Sequence, residues 1–378
     1  MKKCVVVSDS FKGTVSSREI CEIAQRVIPR HFPACEVVCI PVADGGEGTV
    51  DCFVQAMGAQ RVGVTVTNAL REKSAAAYAR LGELAIIEMA AAAGLPQVGA
   101  LRCPGTATTY GVGELIAHAA HSGCKRILLG LGGSATNDGG CGCAAALGVR
   151  FYDADGQSFV PVGDTLGRIA RIDTAEAAAL LRSVEITVMC DVTNPLYGPT
   201  GAAYVFAPQK GADAEKVKSL DAGLRHFGDV IRSQYGLDVS AMPGAGAAGG
   251  MGAGCVALLG GTIQSGIDAV LDVTGFDRQL EGADLVITGE GRIDSQSADG
   301  KVVSGVARRT RAKGVPLIAI AGGIADSAGA VYDIGVSAMF STDRAALPVD
   351  MLGARSPGDY EATLSDIMSL IAIAERFA

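Results

Sequence analysis

Residues 126–147, with the sequence RILLGLGGSATNDGGCGCAAAL, constrain the fold of this chain more than any other segment. Three apolar residues predict a short buried strand, five glycines surround a polar group, and a run of small residues predicts a helix that ends at Gly148. A strand that passes through a glycine-rich turn into a helix directs backbone N–H groups toward an anion. The segment therefore predicts an α/β unit with a phosphate-handling turn.

The polar part of this turn has two interpretations. The functional one assigns its small and polar residues to a bound phosphate: Gly132, Gly133, Ser134, Thr136, Asn137 and Asp138. The structural alternative is a tight turn in which Asn137 or Asp138 only caps the helix. The same choice applies to residues 244–254, a second glycine-rich stretch that either cradles phosphate or forms a helix of small residues packed against a neighbour.

An alternation of strands and helices is interrupted in the middle of the chain. Strands followed by helices are predicted from residues 4–7 and 36–42 and return after residue 285, whereas short connections and a hairpin at Gly82-Glu83 predict a mixed sheet between them. We therefore predict an α/β protein of two domains. A discontinuous Rossmann-like parallel-sheet domain comprises residues 1–62 with 266–378, and an inserted mixed α/β domain comprises residues 63–265. Loops at the carboxyl ends of the strands place the site in the cleft between them.

Charge and composition exclude several classes of partner. The 378 residues carry a formal net charge of −8 and no long basic run, which excludes nucleic acid and an anionic membrane surface. No apolar stretch has the length of a membrane span. The 11 cysteines lack paired C-x-x-C spacing, which favours reduced thiols and a cytoplasmic location. A homodimer is the default oligomeric state.

Several well-known signatures are absent from the sequence. There is no G-x-x-x-x-G-K-[ST], no G-x-G-x-x-G after the first strand and no G-x-S-x-G. Acidic loops, glycine-rich turns and a few cations remain, and this set favours phosphoryl transfer, because there the protein mainly positions groups and neutralises charge. Since the turn lacks a Walker lysine, the neutralising charge has to come from Mg²⁺ and from cations elsewhere in the chain.

Three loops before residue 72 offer groups for an anionic substrate. Ser10 and Lys12 follow the first strand and provide a hydroxyl and a cation for a carboxylate or phosphate. Asp44 follows the second strand and suits Mg²⁺ or a substrate hydroxyl. Arg71 follows a later strand and can form a bidentate contact with a carboxylate. A solvated lysine and ordinary turn chemistry are the alternatives.

Two later loops carry further carboxylates. Asp191 closes a buried strand and is the best candidate for the base that accepts a proton from a substrate hydroxyl; a structural cap is its alternative. Glu290 and Asp294, with Arg292 between them, suit a nucleotide or a metal. An internal pair of Glu290 and Arg292 is the alternative there.

Five segments, in order along the chain, resemble those of the type I glycerate kinases: SDSFKGT (8–14), PVADGGEGT (41–49), GLGGSATNDGG (130–140), CDVTNPLYGP (190–199) and TGEGRIDSQS (288–297). The resemblance runs from residue 1 to near residue 378. It implies phosphorylation of D-glycerate by ATP, with Mg²⁺, in the cytoplasm, and it supports a two-domain α/β fold. It favours 2-phosphoglycerate over 3-phosphoglycerate as product, in glyoxylate or sugar-acid catabolism.

With glycerate as the substrate, each candidate residue has an expected role. Asp191 orients the attacking hydroxyl, and Arg71 or Lys12 holds the carboxylate. Glu290 is assigned to the nucleotide and Asp294 to the metal. Mg²⁺ is expected on one or two of four carboxylates: Asp44, Asp191, Glu290 and Asp294.

Two alternatives to this function remain open. The segment GLGGSAT also resembles the phosphate loop of the galactokinase–homoserine kinase group, which would keep the reaction class and change the fold. The second alternative is a non-catalytic protein that binds a small hydroxy acid.

Overall fold

The computed structural model describes residues 1–11, 14–42, 48–298, 301–345 and 355–377. The strands are β1 Lys3–Ser8, β2 Glu36–Pro41, β3 Gln60–Thr67, β4 Lys73–Leu81, β5 Leu84–Glu88, β6 Arg126–Gly130, β7 Arg150–Tyr152, β8 Ser158–Phe159, β9 Arg171–Asp173, β10 Glu185–Met189, β11 Thr262–Gln264, β12 Leu285–Ile293, β13 Leu317–Ile324 and β14 Ala338–Ser341. The helices are α1 Ser17–His31, α2 Thr49–Met57, α3 Ala90–Ala93, α4 Leu95–Val98, α5 Tyr110–His121, α6 Cys141–Ala146, α7 Ala175–Leu180, α8 Ala202–Phe206, α9 Ala214–Tyr235, α10 Ala247–Leu259, α11 Gly266–Val273, α12 Phe276–Gln279, α13 Val302–Lys313, α14 Ala330–Ile334 and α15 Ser356–Ala374. Short 3₁₀ helices span Gly163–Arg168, Pro208–Lys210, Ser295–Ala298 and Asp326–Gly329.

The chain divides into two compact units. Unit 1 comprises residues 1–44 and 267–378, and unit 2 comprises residues 45–266. Helix α2 packs on β4 and β5, and its contacts therefore lie within unit 2. The predicted α/β fold class is confirmed. The predicted domain limits, 1–62 with 266–378 and 63–265, stay a prediction.

A parallel sheet of five strands, in the order β14-β13-β12-β1-β2, forms the centre of unit 1. Its strands are continuous apolar runs because both faces of the sheet are covered. Alternate residues of β1 point to opposite faces. Val5 and Val7 pack in the core that includes α11, α12 and α13, whereas Cys4 and Val6 pack in the core that includes α1 and α15.

Helix α1 illustrates how local sequence sets the layout of unit 1. Ser16 and Glu19 form a capping box: the Ser16 hydroxyl accepts from Glu19 N–H at 3.2 Å, and Ser16 N–H donates to Glu19 Oε2 at 2.9 Å. This box satisfies two N–H groups that the first turn leaves unpaired. Helix α1 therefore begins at Ser17, with Ser16 as its N-cap.

A mixed sheet of six strands, in the order β11-β10-β6-β5-β4-β3, forms the centre of unit 2. Strands β5, β6, β10 and β11 are parallel, whereas β4 and β3 are antiparallel to their neighbours. The predicted hairpin at Gly82-Glu83 is confirmed, with Leu81 opposite Leu84. Strands β7, β8 and β9 form a separate small antiparallel sheet.

Candidate active site

In unit 1 the candidate residues lie where the order of the strands reverses. From β1 the chain passes through α1 to β2, whereas from β12 it passes through α13 to β13 on the other side of the sheet. Open α/β sheets bind ligands at the carboxyl ends of strands that flank such a point. Asp9 and Ser10 follow β1, Glu290 lies within β12, and Asp294 follows it directly. Asp9 N–H donates to Gly289 O at 2.9 Å, which joins the two strand ends.

Two of these carboxylates are held by the N–H groups of their own loops. Asp9 Oδ1 accepts from Ser10 N–H at 2.7 Å, and the Ser10 hydroxyl lies 3.4 Å from the same oxygen. Asp294 Oδ1 accepts from Gln296 N–H at 2.9 Å, and Asp294 N–H donates to Ser297 Oγ at 3.1 Å. Both aspartates therefore have loop conformations set by side chain-to-backbone bonds.

Glu290 differs from these two aspartates because it is buried. It is 7% exposed, and its Oε1 has no hydrogen-bond partner among the residues that the structure describes. Burial raises the pKa of the Glu290 carboxyl; a hydrogen bond with Ser297 and the charge of Lys301 act in the opposite direction, while Asp9 and Asp294 add to the rise. An ionised carboxylate with an unpaired buried oxygen is unfavourable, and a bound cation would remove that penalty.

The part of the chain that the structure describes contains no group of three or more His, Cys, Asp or Glu side chains able to hold a metal by themselves. Mg²⁺ at nucleotide sites needs fewer protein ligands, because phosphate oxygens and water complete its shell. The orphaned Oε1 of Glu290 is a hard oxygen donor and fits such an ion. Lys12 and Asp44, two of the predicted substrate residues, lie outside the described residues.

In unit 2 the glycine-rich turn between β6 and α6 is built around Asp138, which is fully buried. Its Oδ2 accepts from Thr109 N–H at 2.8 Å, Thr109 Oγ1–H at 2.9 Å and Gly142 N–H at 3.3 Å, and its Oδ1 accepts from Gly140 N–H at 3.1 Å. Burial raises the pKa of this carboxyl, and the bonds from Thr109, Gly140 and Gly142 oppose the rise. Asp138 therefore caps α6 and ties it to the start of α5. Its assignment to a cofactor stays a prediction.

The remaining turn residues differ in how far they reach the surface. Gly133 is exposed and Gly132 is half-buried, whereas Ser134, Thr136 and Asn137 are buried. Asn137 is 0% exposed, and within the described part of the chain neither of its amide atoms has a hydrogen-bond partner; the Thr136 hydroxyl lacks one there as well. A ligand can therefore contact the turn at Gly132 and Gly133, which Ser134 directly follows.

A lysine that the sequence interpretation missed lies against this turn. Lys210, at the end of the 3₁₀ helix Pro208–Lys210, is 2% exposed, and its ammonium donates to Ser134 Oγ at 2.8 Å and to Thr136 O at 2.7 Å. Burial lowers the pKa of Lys210 to about 7, against the opposing charge of Asp138. One signal in the sequence could have revealed it: Lys210 is the one charged residue between Asp191 and Asp213.

The second glycine-rich segment, residues 244–254, packs against the first. Gly139 N–H donates to Gly249 O at 3.0 Å, and a Cβ added at Gly249 would overlap Thr136 O and Asn137 Cα. Gly249 also has a φ of +69°, which L side chains rarely adopt. Close packing thus accounts for Gly249, as the structural interpretation predicted.

Asp191 and Arg71 also lie at strand ends of unit 2. Asp191 is exposed beyond β10, and its Oδ1 accepts from Gly266 N–H at 2.8 Å. Arg71 is exposed in the turn between β3 and β4, with a φ of +68°, and Asn68 Oδ1 holds that turn by accepting from Leu70 and Glu72 N–H at 2.9 Å. Strands β6 and β10 are neighbours, so Asp191 lies on the same edge as the glycine-rich turn.

The structure thus sorts the described candidates into two groups. Ser10, Glu290 and Asp294 lie together at the carboxyl edge of the sheet of unit 1, and the turn residues share a sheet edge with Asp191 in unit 2. Arg71 lies in unit 2 as well, next to the antiparallel strands β3 and β4. Such strand-end loops position reactants and balance charge, which is how phosphotransferases work.

Comparison with known proteins identifies the family to which this chain belongs. Residues 4–372 match the glycerate kinase family. A glycerate kinase of Bacillus cereus is 45% identical over 377 residues, 99% of each chain. A glycerate 2-kinase of Escherichia coli is 44% identical over 343 residues, 90% of each chain. A crystal structure of a candidate glycerate kinase 2 from Salmonella typhimurium LT2 superposes with a TM-score of 0.87 at 38% identity, covering 99% of both chains.

The chain therefore belongs to the glycerate kinase family and is a kinase. The resemblance read from the five motifs is confirmed, and the two alternatives, a galactokinase-type fold and a non-catalytic binding protein, are set aside. No helix within the described ranges is long and apolar enough to cross a membrane.

Proposed function

We propose that the protein transfers the γ-phosphoryl group of ATP to D-glycerate, with Mg²⁺, and releases 2-phosphoglycerate. Family membership along nearly the whole chain carries this proposal. The 2-position is favoured because the Escherichia coli relative, 44% identical over 90% of each chain, is named a glycerate 2-kinase.

In this proposal Asp191 accepts a hydrogen bond from the attacking hydroxyl of glycerate and receives its proton. The bond from Gly266 N–H to Oδ1 fixes the orientation of the carboxylate at the strand end. A base of this kind mainly positions the nucleophile. Loss of the carboxylate then lowers turnover much more than binding.

Cations and backbone N–H groups hold the anionic parts of the substrates. Arg71 and Lys12 are proposed for the carboxylate of glycerate, with Ser10 and Asp44 for its hydroxyls. The turn residues Gly132, Gly133 and Ser134 are proposed for ATP phosphates, because Gly132 and Gly133 reach the surface and the buried Ser134 directly follows them. Thr136, Asn137 and Asp138 shape the turn from inside, a revision that their burial supports.

The donor set of unit 1 suits Mg²⁺. Glu290 and Asp294 would hold the ion, and the unpaired Oε1 of Glu290 is the observation that favours them. When bound, the ion would neutralise phosphate charge and orient the transferring group. The remaining ligands would be phosphate oxygens and water.

A cytoplasmic location is proposed on the state of the thiols. No disulfide links any of the 11 cysteines, as in a reducing compartment. We propose that the product enters glyoxylate or sugar-acid catabolism. The predicted homodimer stays a prediction.

The proposal is tested by an assay of ADP release with D-glycerate, L-glycerate and glucose as acceptors. We expect ADP release with D-glycerate, lost when Mg²⁺ is chelated, and little with glucose. Proton and phosphorus NMR of the product then gives the position of the phosphate. Absence of glycerate-dependent ADP release would contradict the proposed reaction, and a signal from 3-phosphoglycerate would contradict its position.

A further inference from the structure

Lys210 has a fixed place in unit 2. It closes the 3₁₀ helix Pro208–Lys210, after which Gly211 N–H donates to Pro208 O at 3.0 Å. The Arg102 guanidinium donates to Gln209 O at 3.1 Å and holds the same segment from outside. The backbone therefore directs the lysine side chain inward, although lysine is seldom buried without a partner.

The surroundings of the ammonium are neutral. Its two acceptors are the hydroxyl of Ser134 and the carbonyl of Thr136, and no carboxylate of the described residues lies within ion-pair distance of Nζ. Asp138 acts on Lys210 only through space. Burial of an ammonium without a carboxylate is unfavourable for the charged form, and an apolar side chain of similar volume would avoid this penalty. Retention of a lysine here calls for a reason other than stability.

The ammonium of Lys210 determines how the Ser134 hydroxyl can form hydrogen bonds. A hydroxyl that accepts from an ammonium keeps its own hydrogen free to donate, and within the described ranges this hydrogen has no acceptor. Ser134 directly follows Gly132 and Gly133, the part of the turn that reaches the surface. A hydroxyl polarised by a neighbouring cation is a stronger donor, since hydrogen bonds in a chain reinforce one another.

We propose that Lys210 is a positioning residue for nucleotide binding: its ammonium orients the Ser134 hydroxyl so that this hydroxyl donates to a phosphate oxygen of ATP at the glycine-rich turn. The inference rests on the proposed function, and it specifies which cation serves a turn that has no lysine of its own. The ammonium of Lys210 stays buried and acts on the phosphate only indirectly, by polarising the Ser134 hydroxyl.

Kinetics of four variants test this role: Lys210→Met, Ser134→Ala, the double variant and Lys218→Met. Lys218 is an exposed lysine paired with Glu215 on α9 and serves as the matched control. We expect Lys210→Met and Ser134→Ala each to raise the KM for ATP at least tenfold, with the KM for glycerate within twofold of the wild type. The control should leave both constants within twofold.

The double variant separates positioning from a merely structural role. Since Lys210 acts through Ser134, removal of both groups should raise the KM for ATP little more than Lys210→Met alone. Multiplied effects of the two single changes would overturn the proposal, as would a rise confined to the KM for glycerate. The melting temperature of Lys210→Met is expected to stay within about 5 °C of the wild type, because relief of the buried charge offsets two lost hydrogen bonds. Ser134→Ala keeps the test decisive if Lys210→Met does not fold.

Equilibrium binding of ATP to the same proteins keeps this inference apart from the proposed reaction. Absence of glycerate-dependent ADP release from the wild type would refute the reaction, yet calorimetry with ATP alone would still report on Lys210. Tenfold weaker binding by Lys210→Met and by Ser134→Ala supports the inference. Equal ATP affinity in the wild type and both variants overturns it.

Discussion

The carboxyl edge of the sheet in unit 1 and the glycine-rich turn of unit 2 differ in the sign of the buried group that lacks a counter-charge. In unit 1, the buried Glu290 has an oxygen that no described group pairs with, and the carboxylates of Asp9 and Asp294 lie near it, as does the ammonium of Lys301. In unit 2, the carboxylate of Asp138 accepts four hydrogen bonds. The ammonium of Lys210 has only neutral acceptors, a hydroxyl and a carbonyl oxygen. The first edge is suited to a cation and the second to an anion.

A buried charged group therefore indicates a ligand site only when its hydrogen-bond partners within the protein are taken into account. Asp138 and Glu290 are both buried carboxylates with a raised pKa. The first is satisfied by backbone and hydroxyl donors and therefore stabilises the turn, whereas the second has an oxygen without a donor. Only Glu290 gains from a ligand that the chain does not supply.

The largest expected effect comes from Gly249→Ala, which would break the packing beneath the turn. The added Cβ would overlap backbone atoms of Thr136 and Asn137 at a φ of +69°. We expect the free energy of unfolding to fall by more than about 3 kcal/mol in urea titration, through overpacking and backbone strain together. Gly260→Ala is the matched control, because Gly260, which directly follows α10, has a φ of +67° and open space around it. Equal losses in the two variants would mean that close packing does not explain Gly249.

The next effect in size is on chemistry in unit 2. Asp191→Asn keeps an oxygen for the bond from Gly266 N–H but removes the proton acceptor. We expect kcat to fall at least about a hundredfold, with an unchanged free energy of unfolding. Asp155→Asn, in an exposed hairpin turn, should leave kcat unaltered. Near-normal turnover of Asp191→Asn would remove Asp191 from the role of base.

Glu290→Gln tests the charge of the edge in unit 1 by its effect on stability. Because the folded state raises the pKa of Glu290, it holds its proton more tightly than the unfolded chain, and stability is lost as the pH rises from below the ordinary value of 4.5 through the folded pKa. Gln is neutral throughout, so the variant should gain about 1 kcal/mol on the wild type between pH 4 and pH 7. Urea titrations at several pH values measure this gain, with Glu281→Gln at an exposed position as control. A constant difference across that range would contradict the burial argument.

The smallest expected effect is at Arg71, whose φ of +68° favours glycine. Arg71→Gly should raise the free energy of unfolding by about 0.5–1 kcal/mol, through relief of backbone strain. If Arg71 also holds the substrate carboxylate, the KM for glycerate should rise at least tenfold. Thermal melts and kinetics of one variant thus separate the two roles. An unaltered KM would leave Arg71 as a strained turn residue only.

Regular elements were the part of the fold most open to prediction. The strands predicted at residues 4–7 and 36–42 lie within one residue of the observed bounds of β1 and β2, because apolar runs are local properties of the sequence. Glu290 was predicted to lie in a loop, but strand β12 extends to Ile293 and includes it, since pairing with β13 continues there. That pairing depends on a distant part of the chain, which local patterns do not report.

The site was harder to predict because burial and partners depend on tertiary packing. The polar residues of the turn were predicted to bind a ligand, but the side chains of Asn137 and Asp138 are buried within unit 2. Lys210 was overlooked because a lysine between proline and glycine resembles a surface loop. Its isolation among uncharged residues was visible in the sequence, whereas its contact with Ser134, 76 positions away, was not.

The contrast between the two edges is tested most directly by the Mg²⁺ requirement of the reaction. ADP release would be followed against free Mg²⁺ for the wild type, Glu290→Gln and Lys210→Met, at saturating ATP and D-glycerate. We predict that Glu290→Gln needs at least about tenfold more Mg²⁺ for half-maximal rate, as expected on loss of a ligand. Lys210→Met should need the same Mg²⁺ as the wild type. An equal shift in both variants, or a shift in Lys210→Met alone, would contradict the assignment of cation to unit 1 and anion to unit 2.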